Sequence, residues 1–215
     1  MNNVAEYLGK KGEKLTTKVL TPLANKYHPE VDIRDKLQDE EASYYQSLIG
    51  ILRWIVELGR ADMCVEVSMM SSHLALPRKG HMEQVLRMFA YLKGHTNSEI
   101  VFDPSEVEFD RAGFPIQDWI YSIYTTDDCE LKEELPPNMP KPRSNGMIMM
   151  VYVDSDHAGD KVIRRSRTGF VIFLNTEPIY WISKKQTSCE TSSFGSEFCA
   201  MKQAKEYVRE LHYKR

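Results

Sequence analysis

Cysteine is scarce and scattered. Cys64, Cys129, Cys189 and Cys199 stand far apart, with no C-x-x-C pair and no paired histidines at metal-ligand spacing. That excludes a disulfide framework or a zinc site as the organising device, and it fits a reducing compartment. Long apolar runs are missing too: none approaches the roughly 20 residues that a bilayer requires. The N-terminus, Met1-Asn2-Asn3-Val4-Ala5-Glu6, lacks the charged-then-apolar layout of a signal peptide, so the chain reads as soluble and intracellular, with no membrane partner. An excess of one charge is also lacking. The 28 Lys+Arg against 31 Asp+Glu leave a formal charge of −3, unlike a domain whose whole surface is basic for nucleic acid. Any polyanion site must be local. No internal repeat is visible, and Met1 opens no recognisable module, which suggests a frame that begins inside something larger.

What is present divides the 215 residues into four stretches. Residues 1–41 are polar, with Pro22, Pro29 and mixed charges, and read as a loosely ordered lead-in. From Ala42, Leu48, Leu52, Ile55 and Val56 recur at three- and four-residue steps, with Ile49, Ile51 and Trp54 widening the apolar arc. This predicts a helix ending near Gly59. Asp62 is placed to cap a second helix carrying Val65, Val67, Met69 and Met70, which stops before Pro77. A third runs from about Gly80 to Lys93, with Val85, Leu86, Phe89 and Leu92 on one face and Gly94 as a left-handed cap. With a short strand at Glu99 to Phe102, residues 42–102 form a small helical bundle.

Residues 103–146 contain Pro104, Pro115 and the run from Leu135 to Pro142, and read as insertion and linker, although Trp119 to Ile123 has strand character. Residues 147–215 are β-rich at first. Apolar runs at Met147–Val153, Gly169–Leu174 and Ile179–Ile182 predict a three-stranded meander, with a turn around Asn175 to Pro178. A closing helix from about Ser193 to Leu211 follows, with Phe198, Met201, Ala204 or Lys205, Val208 and Leu211 as its buried face. The fold class is therefore α/β in the α+β sense: a helical bundle, then a small sheet with one covering helix.

Two carboxylates stand where chemistry could be placed. Asp154, with Asp156 two residues on, follows an apolar strand core, where a rigid backbone fixes an oxygen ligand that solvent can still reach. Aspartate also ends strands merely by starting turns. Glu197 lies early in the last helix behind Ser192 and Ser193, a position that the helix dipole favours whether or not the glutamate binds anything. Taken jointly, a helix lying over the sheet would bring the two carboxylates close enough to need a counter-cation, and magnesium prefers such hard oxygen ligands. Between them lie Lys161, Arg164, Arg165, Arg167, Lys184, Lys185 and Gln186, a local track for phosphates or equally a set of charges guarding sheet edges.

Residues 152–201 resemble the opening of the ribonuclease H domain of copia-type retrotransposon polyproteins. The likeness rests on Asp154, Gly159-Asp160, Arg164-Arg165-Ser166 with Gly169, Trp181 to Gln186, and Ser192-Ser193 with Glu197. Residues 44–95 are similar to the segment between polymerase palm and ribonuclease H in those polyproteins, through Tyr45, Gly50, Asp62, His81 and Tyr91 to Gly94. The resemblance implies that Asp154 and Glu197 are catalytic carboxylates that hold Mg2+. The reaction would be two-metal hydrolysis of the RNA strand of an RNA–DNA hybrid, a duplex read by its shape. Arg164, Arg165, Lys184, Lys185 and Gln186 would hold that nucleic acid, and the remainder of the polyprotein would be the other partner. The sequence departs from the family pattern in two ways. A third carboxylate, expected on a later strand, does not appear before Arg215, and Phe194-Gly195-Ser196 replaces Thr-Glu-Ala, putting a glycine in a first helical turn at a cost of ~1 kcal/mol. The expectation is an incomplete nuclease site. Its rivals are a non-catalytic nucleic-acid-binding remnant and a protein-interaction module at residues 44–95.

Overall fold

The three helices expected from the apolar steps form, as seen in the computed structural model, which describes residues 2–10, 19–96, 148–213 and the single residues 15, 100, 105 and 138. Helix α2 spans Asp39–Glu57, α3 Cys64–Ser71 and α4 Lys79–Gly94. Their shared core is Tyr45, Leu48, Ile49, Leu52, Val56, Met63, Val67, Met70, Val85, Met88 and Phe89. Tyr45 is wholly enclosed, and its hydroxyl donates to the Met70 carbonyl at 2.9 Å, so a polar group crosses the core without losing a partner.

The apolar arc of α2 is narrower than its sequence suggests. Ile51 is exposed and Trp54 is 63% exposed, because α3 and α4 cover only one side of the helix. Asp62 does not cap α3. It sits in the 3-10 turn Ala61–Met63, takes two hydrogen bonds from the Arg60 guanidinium at 2.8 Å, and accepts from the Tyr91 hydroxyl at 3.1 Å. Two donors already held in place outbid one orphan amide. Gly94 likewise stays helical, and the chain leaves at His95 with φ −127°. The positive-φ glycine among the described residues is Gly59 (φ 135°), just after α2.

The lead-in is ordered where it is described. Helix α1 (Asn2–Lys10) buries Val4 and Leu8 against the core, and a period of two apolar positions is too short to stand out in sequence. Residues 19–38 then lie along α4. Ala24 N–H donates to Gln84 Oε1 at 2.9 Å, and Leu37 N–H to the Pro77 carbonyl at 3.0 Å. His81 takes the Arg78 amide on Nδ1 at 3.1 Å and meets the Pro29 carbonyl through Nε2 at 2.9 Å. Those partners require a neutral ring protonated on Nε2, in keeping with the lowered pKa that burial imposes.

Strands β1 (Met149–Asp156), β2 (Arg167–Leu174) and β3 (Glu177–Lys185) make the expected antiparallel meander in the order β1-β2-β3. The β2–β3 connection is tighter than expected: Asn175 (φ 54°) and Thr176 turn the chain, and Pro178 already pairs with Phe173 at a register shift. Helix α5 (Ser193–Tyr213) covers one face through Ala200, Ala204, Tyr207, Val208 and Leu211, against Phe170, Ile172, Val151, Val153, Tyr180 and Ile182. Phe198 and Met201, expected inside, are each 58% exposed. Small side chains, Ser196, Ala200 and Ala204, line the contact instead and let the helix lie close on the sheet. The segment 103–146 and the strand expected at Glu99 to Phe102 lie outside the described residues.

Candidate carboxylate and nucleic-acid site

Side chains alternate along a strand, and in β1 that alternation decides the site. Val151 and Val153 pack under α5, and Ser155 donates to Ser196 Oγ at 2.9 Å on the same side. Tyr152, Asp154 and Asp156 therefore occupy the other face, opposite the helix that carries Glu197. There Asp154 and Asp156 line a cleft of about 370 Å3 between the sheet and the helical unit. Its sheet wall includes Arg165, Arg167, Gly169, Ser183 and Lys185. Its far wall is His28 to Glu30 with Val65, Met69 and His73.

The residues next to the two carboxylates meet, Ser155 with Ser196 at 2.9 Å, while the side chain of Asp154 takes the cleft face of its strand. Asp154 borders the cleft and Glu197 does not, and neither has a hydrogen bond or ion pair among the described residues. No group of three His, Cys, Asp or Glu side chains stands close enough to hold a metal ion among those residues. Magnesium demands near-octahedral oxygen ligands around a defined centre.

The loop after β1 is built by Asp160. Its Oδ1 accepts the amides of Val162 (3.0 Å) and Ile163 (2.9 Å), and its Oδ2 takes Lys185 Nζ at 2.7 Å. Burial alone would raise the Asp160 pKa, but these donors outweigh it and the carboxyl titrates below its usual range. Ala158 and Arg164 (φ 51° and 56°) take the left-handed backbone needed to fold this loop.

The cationic residues divide accordingly. Arg164 and Arg165 are exposed on the stapled loop, and Lys184 is exposed at the end of β3. Lys185 is engaged by Asp160. Gln186 is 2% exposed, and its Nε2 donates to Thr168 Oγ1 (3.1 Å) and to the Ser196 carbonyl (2.9 Å), so its amide ties the sheet to α5 rather than meeting a ligand. Arg167 was legible only as part of a basic cluster. It is largely buried between the units, donates to Ser68 Oγ at 2.6 Å, and has its pKa lowered by desolvation against the fields of Asp156, Asp160 and Glu30. The cleft residues His28, Glu30 and His73 were missed altogether, because none of them belongs to a motif and only the fold brings them to the cleft.

A helical unit joined to a β1-β2-β3-α5 sheet unit, with an aspartate on the first strand, defines the class as a mixed α and β protein bearing a sheet-face carboxylate. No family model and no solved structure matches the chain. Among curated proteins, it is 23% identical over 180 residues to the retrovirus-related Pol polyprotein from transposon RE1 of Arabidopsis thaliana, which covers 84% of this chain and 9% of that one. It is 26% identical over 141 residues to the putative transposon Ty5-1 protein of Saccharomyces cerevisiae, covering 66% of this chain and 33% of that one. It is also 24% identical over 160 residues to secreted RxLR effector protein 161 of Plasmopara viticola, covering 74% and 85%. The chain is therefore related to retrotransposon Pol polyproteins and corresponds to a segment of one, spanning about a tenth of the Pol polyproteins it matches. Among the described residues no helix is long and apolar enough to cross a membrane.

Proposed function

We propose that this chain is the segment of a copia-type polyprotein joining the end of the reverse transcriptase to the opening of ribonuclease H, and that by itself it does not hydrolyse RNA–DNA hybrid. The order of elements supports the first part: a helical unit, then a meander whose first strand carries Asp154, then a helix carrying Glu197. The second is supported by the donor set: among the described residues no third His, Cys, Asp or Glu stands close enough to complete a metal-holding group. Two-metal hydrolysis needs several carboxylates converging on one centre. The test is incubation of the purified chain with end-labelled hybrid in Mg2+ buffer. No cleavage above buffer is expected, and cleavage abolished by Asp154→Asn would overturn the reading.

A second reading, retained nucleic-acid binding, is favoured by the adjacent exposed arginines Arg164 and Arg165 on a loop fixed by Asp160. Such contact would be phosphate-driven, so affinity for hybrid should fall as salt rises. The double substitution of both arginines to Ala should flatten that dependence. Affinity indifferent to salt refutes it.

A further inference from the structure

The helical unit and the sheet unit are joined by specific hydrogen bonds. Trp181, on β3, is the sheet residue that joins the periphery of the helical core, and its indole Nε1 donates to the Val56 carbonyl at the end of α2, at 3.1 Å. Ser68 of α3 serves both sides of the seam: its Oγ donates to the Ser183 carbonyl at 2.6 Å and accepts from Arg167 Nη1 at 2.6 Å. Lys161 N–H donates to Glu30 Oε1 at 3.0 Å, drawing in the turn at residues 28–31. Three separate stretches of the helical unit thus grip the sheet.

Two features tie the sheet unit to the helical unit. Strand β3 has one neighbour in the sheet and α3 packs against it, so removing the helical unit would uncover that edge and leave Trp181 more exposed to water. Arg167 is part-buried at the seam, and the hydroxyl of Ser68 from the other unit, as its close partner, offsets the cost of desolvating its guanidinium.

We propose that the partner of the sheet's β3 edge is the α2–α3 surface of this same chain, in an association that does not depend on the covalent connection through residues 97–147. The two units form a complex that persists after the connection is cut. Any ligand entering the Asp154 cleft then meets both units at once, because each supplies a wall.

The experiment uses the full chain carrying a site-specific protease sequence inserted between residues 97 and 147. After complete cutting at low micromolar concentration, the two pieces are expected to co-elute in size-exclusion chromatography at the volume of the uncut chain. Trp181→Phe keeps an aromatic side chain while removing the indole N–H and its five-membered ring. Combined with Ser68→Ala, it should weaken the cut pair at least tenfold by dilution, while circular dichroism of the uncut variant stays unchanged. Pieces that separate on cutting, folded or not, overturn the proposal, and so does a cut pair indifferent to both substitutions.

Discussion

Replacing Gln186 by Ala should cost the sheet unit far more than a nucleic-acid contact residue would. The side chain is 2% exposed and lies where β3 ends and α5 begins, with one amide nitrogen donating to Thr168 Oγ1 and to the Ser196 carbonyl. Two hydrogen bonds contribute about 0.5–1.5 kcal/mol each, and the buried Thr168 hydroxyl, which loses its donor, adds about 1–3 kcal/mol. The Gln186 Oε1 atom has no partner among the described residues, so its removal returns part of that cost. The expected loss is about 2–3 kcal/mol, a large share of the ~5–15 kcal/mol that holds a domain together. Urea denaturation followed by far-ultraviolet circular dichroism measures it. Gln186→Glu should be as damaging at neutral pH, since a carboxylate beside the Ser196 carbonyl cannot donate. A loss under about 0.5 kcal/mol, together with weaker hybrid binding, would refute the structural role and return Gln186 to the phosphate track.

Three further perturbations have defined signs. A Cβ at Gly80 would lie 1.7 Å from Arg34 Nη2 and 1.8 Å from Asp32 Oδ2, so Gly80→Ala must displace that ion pair. Helix propensity favours Ala by ~1 kcal/mol, yet the lost charge-assisted bonds outweigh it, and thermal melting should show a net loss of about 1–2 kcal/mol. Burial holds the His73 pKa down to about 4, with His81 and Lys185 opposing its charge and Glu30 and Asp160 favouring it. A base depressed in the folded state contributes stability that is lost as pH falls from 6.5 toward 4, so His73→Phe should flatten the denaturation midpoint across that window. Burial raises the Glu66 pKa, and Oε2 has no partner among the described residues. The folded state then favours the protonated form, whose advantage fades as pH climbs, and Glu66→Gln should raise the melting temperature at pH 8 but not at pH 4.

The elements legible in sequence were those whose own pattern dictates them. Leu48, Leu52 and Val56 recur on one helical face, and the apolar runs at 147–153, 169–174 and 179–182 mark the strands found at 149–156, 167–174 and 177–185. Where the reading failed, the deciding partner lay far along the chain. Phe198 and Met201 carry the right apolarity for a core, yet Ser196, Ala200 and Ala204 permit the closer approach, and that preference depends on the sheet beneath. Gln186 beside two lysines reads as polar surface until Thr168 and Ser196 come to it across the fold. Gly195 looked like a fault in a first helical turn. In the fold, Ser192 Oγ accepts its amide at 3.1 Å, and a Cβ there would sit 2.9 Å from Glu190 Oε2.

The relation between Asp154 and Glu197 turns on one element of arithmetic. Had the pairing of β1 with β2 slipped by a single residue, Asp154 would share the α5 face and Val153 would face the cleft. The register is held against that slip. Asp154 sits opposite Gly169, and Val153 opposite Phe170, whose ring meets Tyr207 of α5 at 5.3 Å. Inverting the strand would bury a carboxylate against Phe170 and Ile172 at a cost of several kcal/mol, while exposing two valines. The same hydrophobic pattern that makes the strand thus fixes which face the aspartate takes. A mutant that restored a shared face would have to break the core first.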